Sequence, residues 1–477
     1  MVKDNKIVIY IISLGFLLSA VISINNIIKY DKNITSNNGI AYHQMIKADA
    51  YRYLSHGNEI KEQLNEGVNF FKTGREHYTK YLPPRIMAAY YYIFDKNMFS
   101  DLDTKKIQTG IHLPYLLFQS LIYYLAIIFL YFTISKKINK TICIGIIFFL
   151  CFEPTILQYH SSFWSESIFF TIQIFIISCV LKTKQTNFNF FIIGILLATL
   201  SLQKEYSIFY IAPLSIYFFI TLANSKFKKL IIMFIGFFLI QSILGYNNYK
   251  RSGEFYIMTA DSKINLHIDL VKKVIKKKFE ISGKEFNFIE GEATYEWLEK
   301  NSIVFNKIDL NKKDYPGFME YRSVLNEKDK IKFDNFIRSR TIEYIVKYPG
   351  DFIKYVINRS FHIVLLNPFH IYSDNNFMSG EVYYDTETHK KLIPYRIFYT
   401  LIIYSICLFG LINFYKKKEY KDLIYLIISI FYFYSLVSWH GNTRYFMPVV
   451  IYLSFFFGYG IHYILKSKKN LFNIWKF

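Results

Sequence analysis

Six short stretches of this chain carry polar residues whose types suit chemistry better than simple solvation. Ala48-Asp49-Ala50-Tyr51-Arg52-Tyr53 offers a carboxylate able to act as general base, with Tyr51 beside it. Glu153-Pro154 and Ser161-Ser162-Phe163-Trp164-Ser165-Glu166 offer two more acids. Lys204-Glu205, Arg85 within Lys80-Tyr81-Leu82-Pro83-Pro84-Arg85, and Trp439-His440-Gly441-Asn442-Thr443-Arg444-Tyr445 offer cations. An arginine such as Arg444 suits phosphate because its planar fork donates two parallel charge-assisted hydrogen bonds. Gly441 would let backbone approach closely, and His440 and Tyr445 flank the same turn. Each stretch also has a plain structural role open to it. Asp49 could be solvated or cap a helix, Glu166 could complement a helix dipole, Lys204 and Glu205 could pair with each other, and Trp439 could anchor an interface.

The elements that must position these residues are apolar. Hydrophobic residues make up 52% of the 477-residue chain and mean hydropathy is +0.18, which points to lipid rather than to two or three soluble domains. A membrane span needs roughly 20 mainly apolar residues. Such segments occur at about 7–28, 111–134, 141–159, 163–181, 188–203, 206–223, 229–247, 393–413, 422–438 and 446–465. The fold class expected is therefore an α-helical polytopic membrane protein of about ten transmembrane helices. Lys3 and Lys6 precede an apolar run longer than a signal-peptide core, with no cleavage signature after it, so the first segment is expected to be an uncleaved span.

Lysines sort the short loops. Lys3/Lys6, Lys136/Lys137/Lys140, Lys182/Lys184, Lys226/Lys228/Lys229, Lys416 to Lys418 with Lys421, and Lys466/Lys468/Lys469 alternate with loops that lack such runs. The lysine-rich set is expected to be cytoplasmic, with both termini inside a cell (inner or plasma) membrane. Residues 29–110, 160–162, the 203–205 turn, 248–392 and 439–445 are then extracytoplasmic. Every candidate residue falls on that one side. Arg444 is notable there, because short loops on that face are otherwise poor in arginine.

This sorting predicts an N-terminal membrane module over 1–247, an extracytoplasmic domain over 248–392 and a C-terminal membrane module over 393–477. The middle domain reads as mixed, with helical patterns at 264–280, 292–300 and 327–347 and turn signals at Ser252-Gly253 and Pro316-Gly317. The basic run of Lys272, Lys273, Lys276, Lys277 and Lys278 suits a solvated helix face, and anionic headgroups or a phosphorylated ligand are the alternative.

A net charge of +21 could suggest nucleic acid, but the basic residues gather at span ends, so no nucleic-acid partner is expected. The four cysteines, Cys143, Cys151, Cys179 and Cys407, lie inside spans and read as packing. The 48 Phe and 42 Tyr accompany abundant Lys, Asn and Ile, a set that low-GC coding produces unaided, so no aromatic cluster is given a role. No His/Cys/Asp cluster has metal-ligand spacing, so no cofactor is expected, with a carboxylate-bound divalent cation left open.

Taken in order, Asp49-Ala50-Tyr51 after the first span, Leu82-Pro83-Pro84-Arg85 opening a short amphipathic stretch, and Ser165-Glu166 heading the fourth span form a series. Lys204-Glu205 after the fifth, Tyr348-Pro349-Gly350 before an interfacial helix, and Arg444-Tyr445 with Pro448 opening the last span complete it. This series resembles the GT-C superfamily of membrane glycosyltransferases, in particular bacterial relatives of protein mannosyltransferases and aminoarabinose transferases. The likeness covers about 1–250 and 340–465 and stops within 255–330.

The resemblance implies a glycosyltransferase using a sugar carried on a polyprenyl phosphate, acting in the bilayer on an acceptor glycan, lipid or protein. It implies inversion with Asp49 as general base, and Arg444, Lys204, Arg85 and His440 at the donor phosphate. Many relatives have Asp-Glu at the first motif, whereas Ala50 follows Asp49 here, so a second catalytic carboxylate is expected from Glu166, with Glu153 in reserve. Glu205, Tyr51 and Tyr445 are possible supporting residues. The rival readings are a lipid-linked-sugar flippase or transporter, which would place charges near the bilayer midplane in two related halves, and an O-antigen-type polymerase or ligase.

Overall fold

A computed structural model of the chain describes residues 2–36, 49–70, 81–95, 99–101, 106–107, 109–223, 225–253, 255–257, 266–301, 321–322, 325–366, 368, 387–438 and 443–474. All ten apolar segments are helical. Six are long and apolar enough to cross a membrane: Lys6–Ile28 within α1 (Val2–Ser36), His112–Ile134 within α4 (Thr109–Ile134), Lys226–Lys250 within α10 (Lys226–Ser252), and three nearer the C-terminus, Lys391–Lys417, Tyr420–Val437 and Tyr445–Ser467. A bent pair, α5 (Lys140–Phe152) and α6 (Pro154–His160), makes a seventh if taken as one broken span. Three shorter apolar helices account for the rest, α7 (Glu166–Val180), α8 (Asn187–Gln203) and the 3-10 turn Glu205–Tyr210 running into α9 (Ile211–Thr221).

The break between α5 and α6 has a local cause. Pro154 lacks the N–H that would continue the helix, and Glu153 accepts from the Ile156 N–H at 2.8 Å, which caps a new helix bent 51° from the old one. Close helix approach elsewhere depends on small residues, because lipid provides no hydrophobic drive between helices. α8 lies so tightly on α10 that a Cβ at Gly194 would fall 2.0 Å from the Met233 carbonyl oxygen, and one at Gly236 would fall 2.3 Å from that of Phe191.

Before α4 the described chain holds α2 (Asp49–Asn65), α3 (Leu82–Ile93, with Pro83 and Pro84 in its first turn) and a two-stranded antiparallel pair, β1 (Phe99–Asp101) and β2 (Lys106–Ile107). α2 packs on α3, and α3 reaches α8.

The described part of 248–392 is mainly helical. A π-helical turn at His267–Val271 leads into α11 (Lys272–Phe279), and α12 (Gly283–Lys300), α13 (Glu327–Lys347) and α14 (Pro349–Ile363) follow. These enclose a small core of their own around Phe286, Tyr321, Phe333 and Ile337. Two buried charged groups are paired inside it. Arg322 donates to both oxygens of Asp334, at 2.8 and 3.1 Å. Glu290 accepts from Arg340 at 2.7 Å and from the Tyr344 hydroxyl, with His267 Nε2 3.4 Å away. Past α14 the chain is pinned to α15 (Glu387–Lys417), where Thr400 Oγ1 accepts from the Leu366 N–H at 3.0 Å and Tyr404 donates to the Val364 carbonyl at 2.6 Å. α16 (Tyr420–Val437) and α17 (Thr443–Ile474) complete the bundle.

Candidate active site

One end of the bundle is built around two consecutive pairs of residues. Glu166 is the first residue of α7, and its Oε1 accepts from Lys204 Nζ at 2.6 Å, with both side chains 1% exposed or less. The preceding residues meet as well, Gln203 Nε2 donating to the Ser165 carbonyl at 2.7 Å. Residues 203–204 at the end of α8 therefore clamp residues 165–166 at the start of α7. Lys204 can do this because it leaves the helix in an extended conformation, with φ −145° and ψ 113°.

Three aromatic rings surround the ammonium group. Nζ lies 5.6 Å from the centroid of Phe169, 5.9 Å from Tyr206 and 5.8 Å from Tyr445, within the range of cation–π attraction. Tyr445 sits in the first turn of α17 directly after Arg444, so the ring contact brings that turn to the ion pair. Gln173 ties α7 to α17 a turn deeper, donating to the Pro448 carbonyl at 2.7 Å.

The turn between α6 and α7, expected as an extracytoplasmic loop at 160–162 leading into a span, is buried throughout, from Ser161 to Ser165. A buried turn needs partners for its polar groups. Gln119 of α4 donates to the carbonyls of His160 (2.7 Å) and Ser162 (2.8 Å), and Asn26 of α1 donates to Ser161 Oγ at 2.9 Å. His160 Nδ1 and Ser167 Oγ lie 2.7 Å apart. Glu166 is thus held by a scaffold drawn from four helices.

The other candidates are placed as follows. Glu153 is buried, accepts from Thr155 Oγ1 at 2.9 Å and from Tyr399 Oη at 3.2 Å, and caps α6; none of these partners belongs to the Glu166 group. Lys204, adjacent to Glu205 in sequence, reaches Glu166 on a different helix. Arg85 is buried in α3, with its guanidinium 3.7 Å over the ring of Tyr81 and Nη1 donating to the Tyr81 carbonyl at 3.1 Å. Tyr81 in turn lines a small hollow with Glu205, Ser201 and Leu244, which puts α3 against the Lys204 end of α8. Asp49 and Tyr51 stand in the first turn of α2, and Arg444 in that of α17, but the side chains of all three lie outside the described residues, as does His440 entirely.

The residues that sequence reasoning passed over are Gln203, Gln119, Phe169 and Tyr206. Gln119 gave a signal, a polar amide inside an apolar run. The rings gave none in a chain that is 20% aromatic. Among the described residues no group of three His, Cys, Asp or Glu side chains lies together as metal ligands would.

The opposite end of the bundle gathers lysine-rich turns. Lys137, Leu181, Phe414 and Asp422 line one hollow there, joining the turns after α4, after α7 and between α15 and α16. The ion pair and the lysine-rich turns are therefore at opposite ends of the same helices.

No protein-family profile matches this chain, and no curated protein matches it. Among solved structures it is similar to the archaeal oligosaccharyltransferase AglB from Archaeoglobus fulgidus in complex with an inhibitory peptide and a dolichol-phosphate, with 12% identity, a TM-score of 0.49, and coverage of 98% of this chain and 51% of that one. It is also similar to the apo form of the Archaeoglobus fulgidus enzyme (11% identity, TM-score 0.49, 98% and 52% covered). A third is that enzyme tethered to an acceptor peptide containing the NVT sequon (13%, 0.47, 94% and 49%). This chain spans about half the length of those structures.

Proposed function

We propose that this protein is an integral membrane glycosyltransferase that moves a sugar from a polyprenyl-phosphate donor to an acceptor glycan, lipid or protein, with inversion at the anomeric carbon. The observation that carries this reading is the buried Glu166–Lys204 pair beneath Tyr445, beside the turn that holds Arg444. A fixed cation in a water-poor, ring-lined setting at a bundle end is suited to a lipid-borne phosphate. The lysine-rich turns at the opposite end support an extracytoplasmic position for it.

In the reaction, the Asp49 carboxylate takes the proton of an acceptor hydroxyl or amine, whose lone pair attacks the anomeric carbon. The bond from that carbon to the phosphate oxygen breaks, and its electron pair leaves with the lipid phosphate. Negative charge grows on the phosphate as the bond lengthens, so cations already in place stabilise the transition state more than the ground state. Arg444 and Lys204 supply them, with Arg85 and His440 behind. Glu166 holds Lys204 in position, a different part from the second catalytic carboxylate first expected of it. Glu205, Tyr51 and Tyr445 support the site, and Glu153 shapes the broken span behind it.

The test is transfer of labelled sugar by the purified chain in proteoliposomes. Asp49→Asn should lower turnover by about 100- to 10,000-fold, the usual contribution of a general base. Arg444→Ala should weaken donor use. Full transfer by Asp49→Asn at normal membrane abundance removes it as base, and movement of donor across the bilayer without product would replace the enzyme reading with a flippase.

A further inference from the structure

At the lysine-rich end, on the bundle's outer surface, α4, α7 and α8 enclose a groove of about 610 Å³ that the proposed reaction does not use. Its walls are the apolar side chains of Phe129, Phe175, Ile192 and Leu196. Its mouth is cationic, with Lys182 and Lys184 both on its rim, and Lys182 bends across it so that Nζ stands 5.4 Å from the centre of the Phe129 ring. The floor near the mouth is polar. Asn189 is buried and uses its Nδ2 to donate to the Cys179 carbonyl (2.9 Å) and to Gln185 Oε1 (2.8 Å), which leaves its Oδ1 acceptor with no hydrogen-bond partner among the described residues. Thr186 adds a hydroxyl on the rim.

We propose that this groove is a binding site for one anionic phospholipid, separate from the donor site at the other end of the bundle. The charge pattern selects the occupant. An acyl chain fits the aromatic and aliphatic walls, and a phosphate fits two ammonium groups at the level where a helix leaves the hydrocarbon. A zwitterionic lipid fills the walls equally well but brings its own cation to a cationic mouth. A free phosphate satisfies the lysines and leaves the walls empty. Because α7 and α8 carry Glu166 and Lys204 at their far ends, the lipid grips the two helices that the ion pair joins.

The experiment is native mass spectrometry of the full chain in neutral detergent, titrated with phosphatidylglycerol, phosphatidylcholine or inorganic phosphate. One phosphatidylglycerol should be retained at least tenfold more tightly than phosphatidylcholine, and inorganic phosphate should neither bind nor compete. Lys182→Ala with Lys184→Ala should weaken phosphatidylglycerol about thirtyfold, from about 1 kcal/mol per lysine near a charged surface, and leave phosphatidylcholine unchanged. Lys182→Arg with Lys184→Arg should restore it. Ile192→Trp, which fills the groove and keeps the charges, should abolish retention of both lipids. Lys416→Ala with Lys417→Ala, at a different turn of the same end, should change nothing. Equal retention of the two lipids, displacement by inorganic phosphate, retention surviving Ile192→Trp, or an equal loss from the Lys416/Lys417 change would each overturn the proposal.

Discussion

The Glu166–Lys204 pair makes a quantitative prediction because both partners are out of solvent, at 0% and 1% exposure, and only 2.6 Å apart. Removing one partner strands the other as an uncompensated buried charge, which costs about 3–5 kcal/mol, whereas replacing both by neutral groups of similar size is close to neutral. Glu166→Gln and Lys204→Met should therefore each destabilise the protein by about that amount, and the double variant should recover most of the loss, a coupling of about 3 kcal/mol or more. The assay is a double-mutant cycle on reversible denaturation in mixed micelles, with sugar transfer measured on the same samples. The double variant should be folded and inactive, since it lacks the cation at the donor phosphate, and this separates stability from chemistry. Single variants costing under about 1 kcal/mol, as exposed pairs do, or an additive cycle would show that the pair is not held as described. Full transfer by the folded double variant would refute a role for Lys204 at the phosphate.

Three further outcomes follow from other parts of the molecule. Burial alone would raise Glu290, but hydrogen bonds from His267, Arg340 and Tyr344 outweigh it and hold its carboxyl at about 2, below the ordinary 4.5. A depressed folded value adds stability at any pH above the unfolded one, lost as pH falls from about 4.5 towards 2. Acid unfolding of the α11–α14 domain, followed by tryptophan fluorescence of Trp297, should show that loss, and Glu290→Gln should flatten it. Gly194→Leu should force α8 off α10, costing several kcal/mol of stability and lowering the yield of folded protein on size exclusion, while Gly350→Ala, where nothing lies within 4 Å of the added carbon, should leave yield unchanged. Transfer should persist in excess chelator; loss restored by Mn²⁺ or Mg²⁺ would require a metal.

The sequence made the helices legible because apolar run length is a local property, and each of the ten runs is largely helical. Their ends were less legible. Residues 163–165 read as the start of a span, yet they continue a buried turn whose His160 and Ser162 carbonyls depend on Gln119, more than forty positions away. The site was half readable. Glu166 and Lys204 stood out as charges at span ends, but their pairing spans 38 positions and exists only because α7 and α8 pack side by side. Glu153, a buried acid before a proline, also serves as a helix cap, a role its position before Pro154 made readable. The Glu290 network had no signal at all, since its members come from separate helices of the domain in which no motif was found.

The contact between Gly194 and Met233 also acts as an index mark. Each helical residue advances about 1.5 Å and turns about 100°, so the glycine seated on α10 fixes both the height and the compass bearing at which Lys204 emerges from α8. Inserting a single alanine between Gly194 and Lys204 would leave every side chain of the site present and swing the ammonium about a quarter turn away from Glu166.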